Sequence, residues 1–215
     1  MKHQTVAPAF RSRQQQKERT HQAILDASLA LTEEQGFAGL SLRQVTRVVG
    51  IVPTAFYRHF ASMDELGLAL VDQSFATLRA MIRDARRDPA TYDDIISSSA
   101  QILLRVVKAN RAHFAFIGRE RFGGVAVVRE AIRHELSLFV SELAIDLARF
   151  PYLDKWSSTD VQMVARLFVN NMVSTAEQIV EIPPGRTDLE QQVADEAKRQ
   201  MRLIVIGFAG WRTDQ

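Results

Sequence analysis

The chain of 215 residues contains no cysteine. Disulfides, thiolate metal sites and a cysteine nucleophile are therefore excluded. Long hydrophobic runs are missing as well. No apolar stretch approaches the roughly 18 residues of a membrane helix, and the N-terminus lacks the apolar centre of a secretion signal. A cytoplasmic protein without a membrane partner is expected. Alternating strand patterns are also absent, and Gly, Pro and polar residues bound every segment with helical spacing. Charge of either sign is nearly balanced at +2, but its distribution is not even. Residues 1–60 hold eight Lys and Arg against four acids, and the remaining 155 residues hold 19 against 21. Basic character is gathered at one end, as a nucleic-acid-binding module requires.

Catalytic patterns are equally scarce. The sequence has no G-x-x-x-x-G-K-[ST], no G-x-G-x-x-G and no G-x-S-x-G. His134–Glu135 is not followed by a second histidine at metalloprotease spacing, and the five histidines are dispersed. Acid pairs such as Glu33–Glu34 and Asp93–Asp94 fall at helix termini, where electrostatics alone accounts for them. No metal, no cofactor and no enzymatic activity are expected.

What is present is a succession of helical patterns separated by short breaks. Apolar Ala23, Ile24, Ala27 and Leu31 predict a first helix over about 14–35, stopped by Gly36. Residues 1–13 read as a mobile basic arm, with Arg11, Arg13 and Lys17 reaching phosphates or forming a solvated tail. Ser62 and Glu65 make a capping box that opens a long helix to about Arg87, with Leu66, Leu70, Phe75, Leu78, Met81 and Ile82 buried on more than one side. Further helices are predicted at about 92–109, 111–120, 125–150, 158–181 and 187–207, the last opened by a Thr187–Glu190 capping box. The expected fold is all-α with about nine helices. An N-terminal unit over 1–61 is joined by the long helix to a larger unit over 62–215.

Ser41–Phe60, SLRQVTRVVGIVPTAFYRHF, stands out. Ser41 with Gln44 is a capping box, Gly50 suits the left-handed end of a helix, and Pro53 fits the first turn of the next. The second helix carries Tyr57, Arg58 and His59 between Phe56 and Phe60. This is a helix–turn–helix with a basic, aromatic second helix, a means of entering the major groove. An ordinary helical hairpin is the alternative. One such unit reads few bases, and two broadly apolar helices at 158–181 and 187–208 can pair with a second copy. A two-fold dimer would then read half-sites about 34–36 Å apart. Both faces being used inside one chain is the other possibility.

The first three helices resemble the TetR family of bacterial transcription repressors. The likeness lies in the helix ending QGF, the segment LSLRQVTRVVGI, and the FYRHF–x–S–x–DEL run across Phe56–Leu66. GIVPTAFYRHF with DELGLALVDQS, and RERFGG–x–x–x–VREAIRHEL at Arg119–Leu136, are similar to repressors of unsaturated fatty acid synthesis of the FabR type. The resemblance implies a homodimer on a palindromic operator. It implies that Tyr57 and His59 hold phosphates, that Pro53, Thr54 and Ala55 face base edges, and that Ser41, Arg43 and Gln44 stand at a phosphate-binding helix start. Where the family often has a lysine before DEL, this chain has Met63, so that phosphate contact is expected to be missing. Arg43, Gln44 and Arg58 are the candidates for bidentate base contacts, which leaves part of the reading to methyl groups and DNA shape.

The resemblance also implies an effector, a long-chain acyl group on coenzyme A or acyl carrier protein. Phe75, Leu78, Phe114, Phe116, Ile117, Phe122, Phe139, Leu143, Trp156, Phe168 and Met172 could line its tunnel or simply fill the core. Arg119, Arg121, Arg129 and Arg133 are candidates for its phosphates, with surface arginines as the plain alternative. Bent and straight chains would favour different tilts of the 62–87 helix. A repressor sensing another apolar molecule such as a drug, and a helical binding protein that ignores DNA, remain as other readings.

Overall fold

The computed structural model describes residues 8–85, 95–150, 153 and 155–212, the side chains of 8–11, 81–85 and 95 excepted. Among these, nine α-helices and no strand occur: α1 (Pro8–Gln35), α2 (Leu42–Val49), α3 (Pro53–Phe56), α4 (Met63–Ala85), α5 (Ile95–Ala109), α6 (Arg111–Glu120), α7 (Ala126–Leu147), α8 (Ser158–Glu181) and α9 (Thr187–Gly207). The side chains of Met81 and Ile82, and the expected helix ends at 87 and 92, lie outside what is described.

Local chemistry sets most of the boundaries. Ser41 accepts the Gln44 N–H while the Gln44 amide oxygen accepts the Ser41 N–H at 2.9 Å, so both halves of the capping box form. Gly50 then ends α2 at φ 73°, a conformation nearly free for glycine. Pro53 occupies the first turn of α3. Ser62 Oγ accepts the Glu65 N–H at 3.1 Å. Three expectations differ. The helix α1 begins at Pro8, so Arg11 and Arg13 stand on a helix and not on an arm. The second helix of the motif ends at Phe56, and Tyr57, Arg58 and His59 form a tighter turn held by Arg58 N–H to Ala55 and His59 N–H to Phe56 carbonyls. At α9 the N-cap is Arg186 without a side-chain cap. Glu190 is buried and pairs with Lys108 at 2.5 Å, so tertiary contact displaces the capping box there.

One core cluster crosses residue 61. It joins Ile24, Val45, Phe56 and Phe60 of the first three helices to Leu66, Leu70 and Phe75 of α4, Phe116 of α6, and Val128 and Ile132 of α7. Two smaller clusters sit between α7 and α8, and between α5 and α8. Close approach at Gly67 makes the α4 junction tight: a Cβ there would lie 2.6 Å from Val128 Cγ2 and 2.7 Å from Phe37 Cζ. Met63 packs against this core.

Candidate functional site

The helix–turn–helix presents an exposed face made from the start of α2, all of α3 and the turn after it. Ser41, Arg43, Pro53, Thr54, Tyr57 and Arg58 are exposed, and Ala55 and His59 are half-buried. Phe56 and Phe60 anchor the turn in the core at 0% and 2% exposure. Gln44 differs from the expectation. Its oxygen takes the Ser41 N–H and hydroxyl, and its nitrogen donates to Gln35 at 3.2 Å. An amide so engaged has little left for a bidentate base contact, which leaves Arg43 and Arg58 as the cationic candidates.

Lys17 of α1 comes to the same surface. With Gln16, Thr20, Arg58 and His59 it lines a cleft of about 380 Å³. His21 stacks on Phe60 at 4.5 Å and stands 5.9 Å from His59. Partial burial, followed by His21, Lys17 and Arg58, holds the His59 pKa below its ordinary value. The His59 Nδ1 is buried without a hydrogen-bond partner. This convergence of positive and protonatable groups is an environment for an anion. His21, Thr20 and Gln16 were not legible in the motif, because they come from α1 and only docking brings them there. Arg13 is exposed on α1, and the Arg11 side chain lies outside the described residues.

The second candidate is a cavity of about 600 Å³ enclosed by α4 to α9. Phe75, Leu78, Phe114, Ile117, Phe139, Leu143, Phe168 and Met172 line it. Leu136, Phe139, Leu143, Leu147 and Phe150 form one stripe along α7 and its end, about 21 Å at 1.5 Å per residue. The stripe's i, i+3, i+7 spacing was visible in the sequence, but its partner face on α5 was not. Among the described lining residues polar groups are few: Ser99, Glu177 and Arg202. Arg121 donates to Glu177 at 2.9 Å and lies 2.7 Å from its other oxygen. Burial raises the Glu177 pKa, and Arg121 opposes that shift.

Several expected lining residues are elsewhere. Phe116 is core, edge-on to Phe37 at 6.5 Å. Phe122 is 77% exposed beneath the Arg121 guanidinium. Trp156 packs on Phe208 and Trp211 behind the wall. Nor do the expected arginines line the cavity. Arg119 donates to the Thr32 and Glu33 carbonyls at 2.8 and 2.9 Å, Arg129 to the Gly123 carbonyl, and Arg133 is exposed. Arg121 is held by Glu177. A residue the sequence did not mark, Glu120, is 2% exposed and accepts the Phe37 N–H at 2.8 Å. The end of α6 thus carries two side chains that grip the end of α1.

Among the described residues no group of three His, Cys, Asp or Glu could hold a metal, and no helix is long and apolar enough to cross a membrane. Comparison with known proteins agrees with this architecture. Residues 24–70 match the family described as bacterial regulatory proteins, tetR family, and residues 92–207 match the tetracyclin repressor-like C-terminal domain. The fold is shared with AibR in complex with isovaleryl coenzyme A and operator DNA (TM-score 0.65, 15% identity, 83% of this chain and 96% of that one). It is shared with FadR of Bacillus subtilis in complex with stearoyl-CoA (0.65, 14%, 86% and 98%) and with the multidrug binding protein EbrR complexed with imidazole (0.56, 20%, 84% and 93%). With both of its units matched, this chain is a DNA-binding transcriptional regulator of the TetR family.

Proposed function

We propose that this regulator is an acyl-responsive repressor of the FabR type, whose hold on a palindromic operator changes when a long-chain acyl thioester fills the cavity between α4 and α9. The observation that carries the reading is the lining of the cavity. The cavity is apolar and is lined along α7 and its end by a stripe about 21 Å long, from Leu136 to Phe150, which suits an extended hydrocarbon chain. Two solved relatives of this fold hold acyl-coenzyme A esters. A cationic drug is the weaker alternative, because Glu177, the one carboxylate among the described lining residues, is already neutralised by Arg121 at 2.7 Å.

Two routes connect the cavity with the DNA-binding face. Phe139 lines the cavity and carries Arg79 of α4 over its ring at 4.8 Å, and Arg79 pairs with Glu135 at 2.7 Å. A chain that displaces Phe139 therefore acts on α4, whose tilt sets the separation of the two reading heads. The second route is α6, which lines the cavity with Phe114, Ile117 and Gly118 and holds α1 through Arg119 and Glu120. A ligand shifts either element only by its differential affinity for the two arrangements.

In this reading Tyr57, His59, Lys17 and the α2 start hold phosphates, and Pro53, Thr54 and Ala55 meet base edges. The dimer forms through α8 and α9, which leave Leu167, Leu203 and Ile206 exposed at 47%, 71% and 72%. The test is operator affinity at fixed salt with oleoyl- and palmitoyl-coenzyme A. The proposal expects the two esters to change it to different extents. Affinity unchanged by both would remove the fatty-acid reading and leave the family assignment standing.

A further inference from the structure

Residues 36–63 contain no acid, while Arg43, Arg47, Arg58 and His59 all fall within them. The helix that docks on the end of this stretch is α1. Lys17 and His21 lie one helical turn apart on it. Lys17 lines the cleft with Arg58 and His59, and the His21 ring stands 5.9 Å from that of His59. His21 is not free to swing away. Its ring lies on Phe60 at 4.5 Å and 22°, and Phe60 is 2% exposed. A core aromatic therefore holds one imidazole flat and within range of the other.

Without DNA the chain resists charging this pair. The His59 Nδ1 is buried, and no described residue accepts a proton held there. Burial, followed by His21, Lys17 and Arg58, disfavours the charged ring, and no acid is among the charges that act on it. The acids of the surrounding elements are engaged or exposed. On α1, Glu18 is held by Gln14 at 2.8 Å and Asp26 by Gln22 at 2.7 Å. At the start of α4, Glu65 accepts the Ala61 N–H and Asp64 is exposed. From α2 and the turn itself come exposed Arg43, Arg47 and Tyr57. A phosphate in the cleft reverses the balance, because an opposite charge within about 4–6 Å favours the charged imidazole. The DNA-bound state then keeps a proton that the free state releases.

We propose that His21 and His59 form a proton-loaded clasp for operator phosphate: binding of DNA draws a proton onto the pair, and the hold on the operator strengthens as pH falls. His59 faces the phosphate together with Lys17 and Arg58. His21 is a positioning residue. Its stack on Phe60 fixes the ring beside His59, and its charge makes His59 release its proton more readily when no DNA is bound. The inference rests on the reading of Lys17 and His59 as phosphate holders and adds a proton to it. The free His59 pKa lies below the ordinary 6.5, and phosphate raises it. Below the free value the ring is charged with or without DNA, and affinity is greatest. As pH rises from there toward the DNA-bound value, affinity falls by up to about tenfold per pH unit for each subunit.

The test is calorimetry of the full-length protein with a duplex that the protein itself has selected from random DNA. Titrations at about pH 7 in buffers of different ionisation enthalpy count the protons taken up, and affinity is followed from about pH 6 to about pH 8 at fixed salt. Uptake of about one proton per subunit is expected in the unaltered protein. His21→Phe keeps the stack on Phe60 but removes a titrating ring and the charge beside His59. It should reduce the uptake at least about twofold and flatten the pH profile. Binding of the duplex at about pH 8 shows that this variant is folded. His59→Gln should abolish the uptake and weaken binding, and His134→Gln, exposed on α7, should change neither. No uptake by the unaltered protein overturns the clasp, as does uptake that survives His59→Gln or is lost in His134→Gln. Uptake unchanged in His21→Phe assigns the proton to His59 alone and overturns the pair. If His59→Gln binds the duplex as tightly as the unaltered chain across the whole range, the phosphate reading itself fails, and the clasp with it.

Discussion

At the scale of single residues, this chain uses its buried polar groups as fasteners between helices. Glu120 gives the clearest case, since its carboxylate is 2% exposed and receives the Phe37 N–H across 83 positions of sequence. Removing it leaves that donor unsatisfied, a cost of about 1–3 kcal/mol. Glu120→Ala should lower the melting temperature by several degrees in a thermal unfolding scan. If α6 carries the ligand signal, the same variant should also blunt the effect of palmitoyl-coenzyme A on operator affinity. His113 is a second fastener, with Nδ1 2.9 Å from Ser74 Oγ, so that it ties α6 to α4. Burial lowers its pKa from the ordinary 6.5, and nearby Asp26 opposes that shift. The folded state thus prefers the neutral ring more than the unfolded chain does. Its contribution to stability is complete above that ordinary value and is lost as pH falls below it. Melting temperatures at about pH 7.5 and about pH 5.5 should converge in His113→Gln relative to the unaltered chain. An unchanged difference would assign the pH dependence to other groups.

Elements show how local signals and packing divide the work. The start of α2, its Gly50 end and the Pro53 start of α3 are each set within a few residues, which is why the helix–turn–helix was legible. Signals of the same kind misled at α9, where Glu190 turned away from Thr187 to meet Lys108. A pairing between remote residues gains more there than a cap that water can replace. At α4 the decisive residue is Gly67, a poor helix former in mid-helix. Its value is the absence of a Cβ between Val128 and Phe37. Gly67→Ala improves helix propensity by up to about 1 kcal/mol, but overpacking costs about 1–3 kcal/mol. A net loss of stability is expected in denaturant unfolding, and a gain would show that the α4–α7 junction yields easily.

For the whole molecule, the exposed apolar face of α8 and α9 and the spacing of the reading heads form one problem. Leu203 and Ile206 are more than two-thirds exposed, an arrangement expected of a surface covered by a second copy. The paired substitution Leu203→Glu/Ile206→Glu should yield a monomer by light scattering and reduce operator affinity by at least about tenfold. A dimer of unaltered mass would place the interface elsewhere.

The sequence by itself determined the helices, the motif that marks the DNA-binding unit and the concentration of positive charge around it. Those properties follow from spacing, caps and residue type within a short window. Tertiary structure alone decided which groups share a site. It brought Lys17 and His21 beside His59, turned Gln44 inward, and moved Phe116 and Phe122 away from the cavity that Phe139 and Phe168 line. It also turned Arg119 and Arg121 from expected phosphate ligands into holders of α1 and Glu177. An apolar or cationic side chain carries no local sign of whether it will face core, cavity or solvent. That choice depends on which remote helix docks against it.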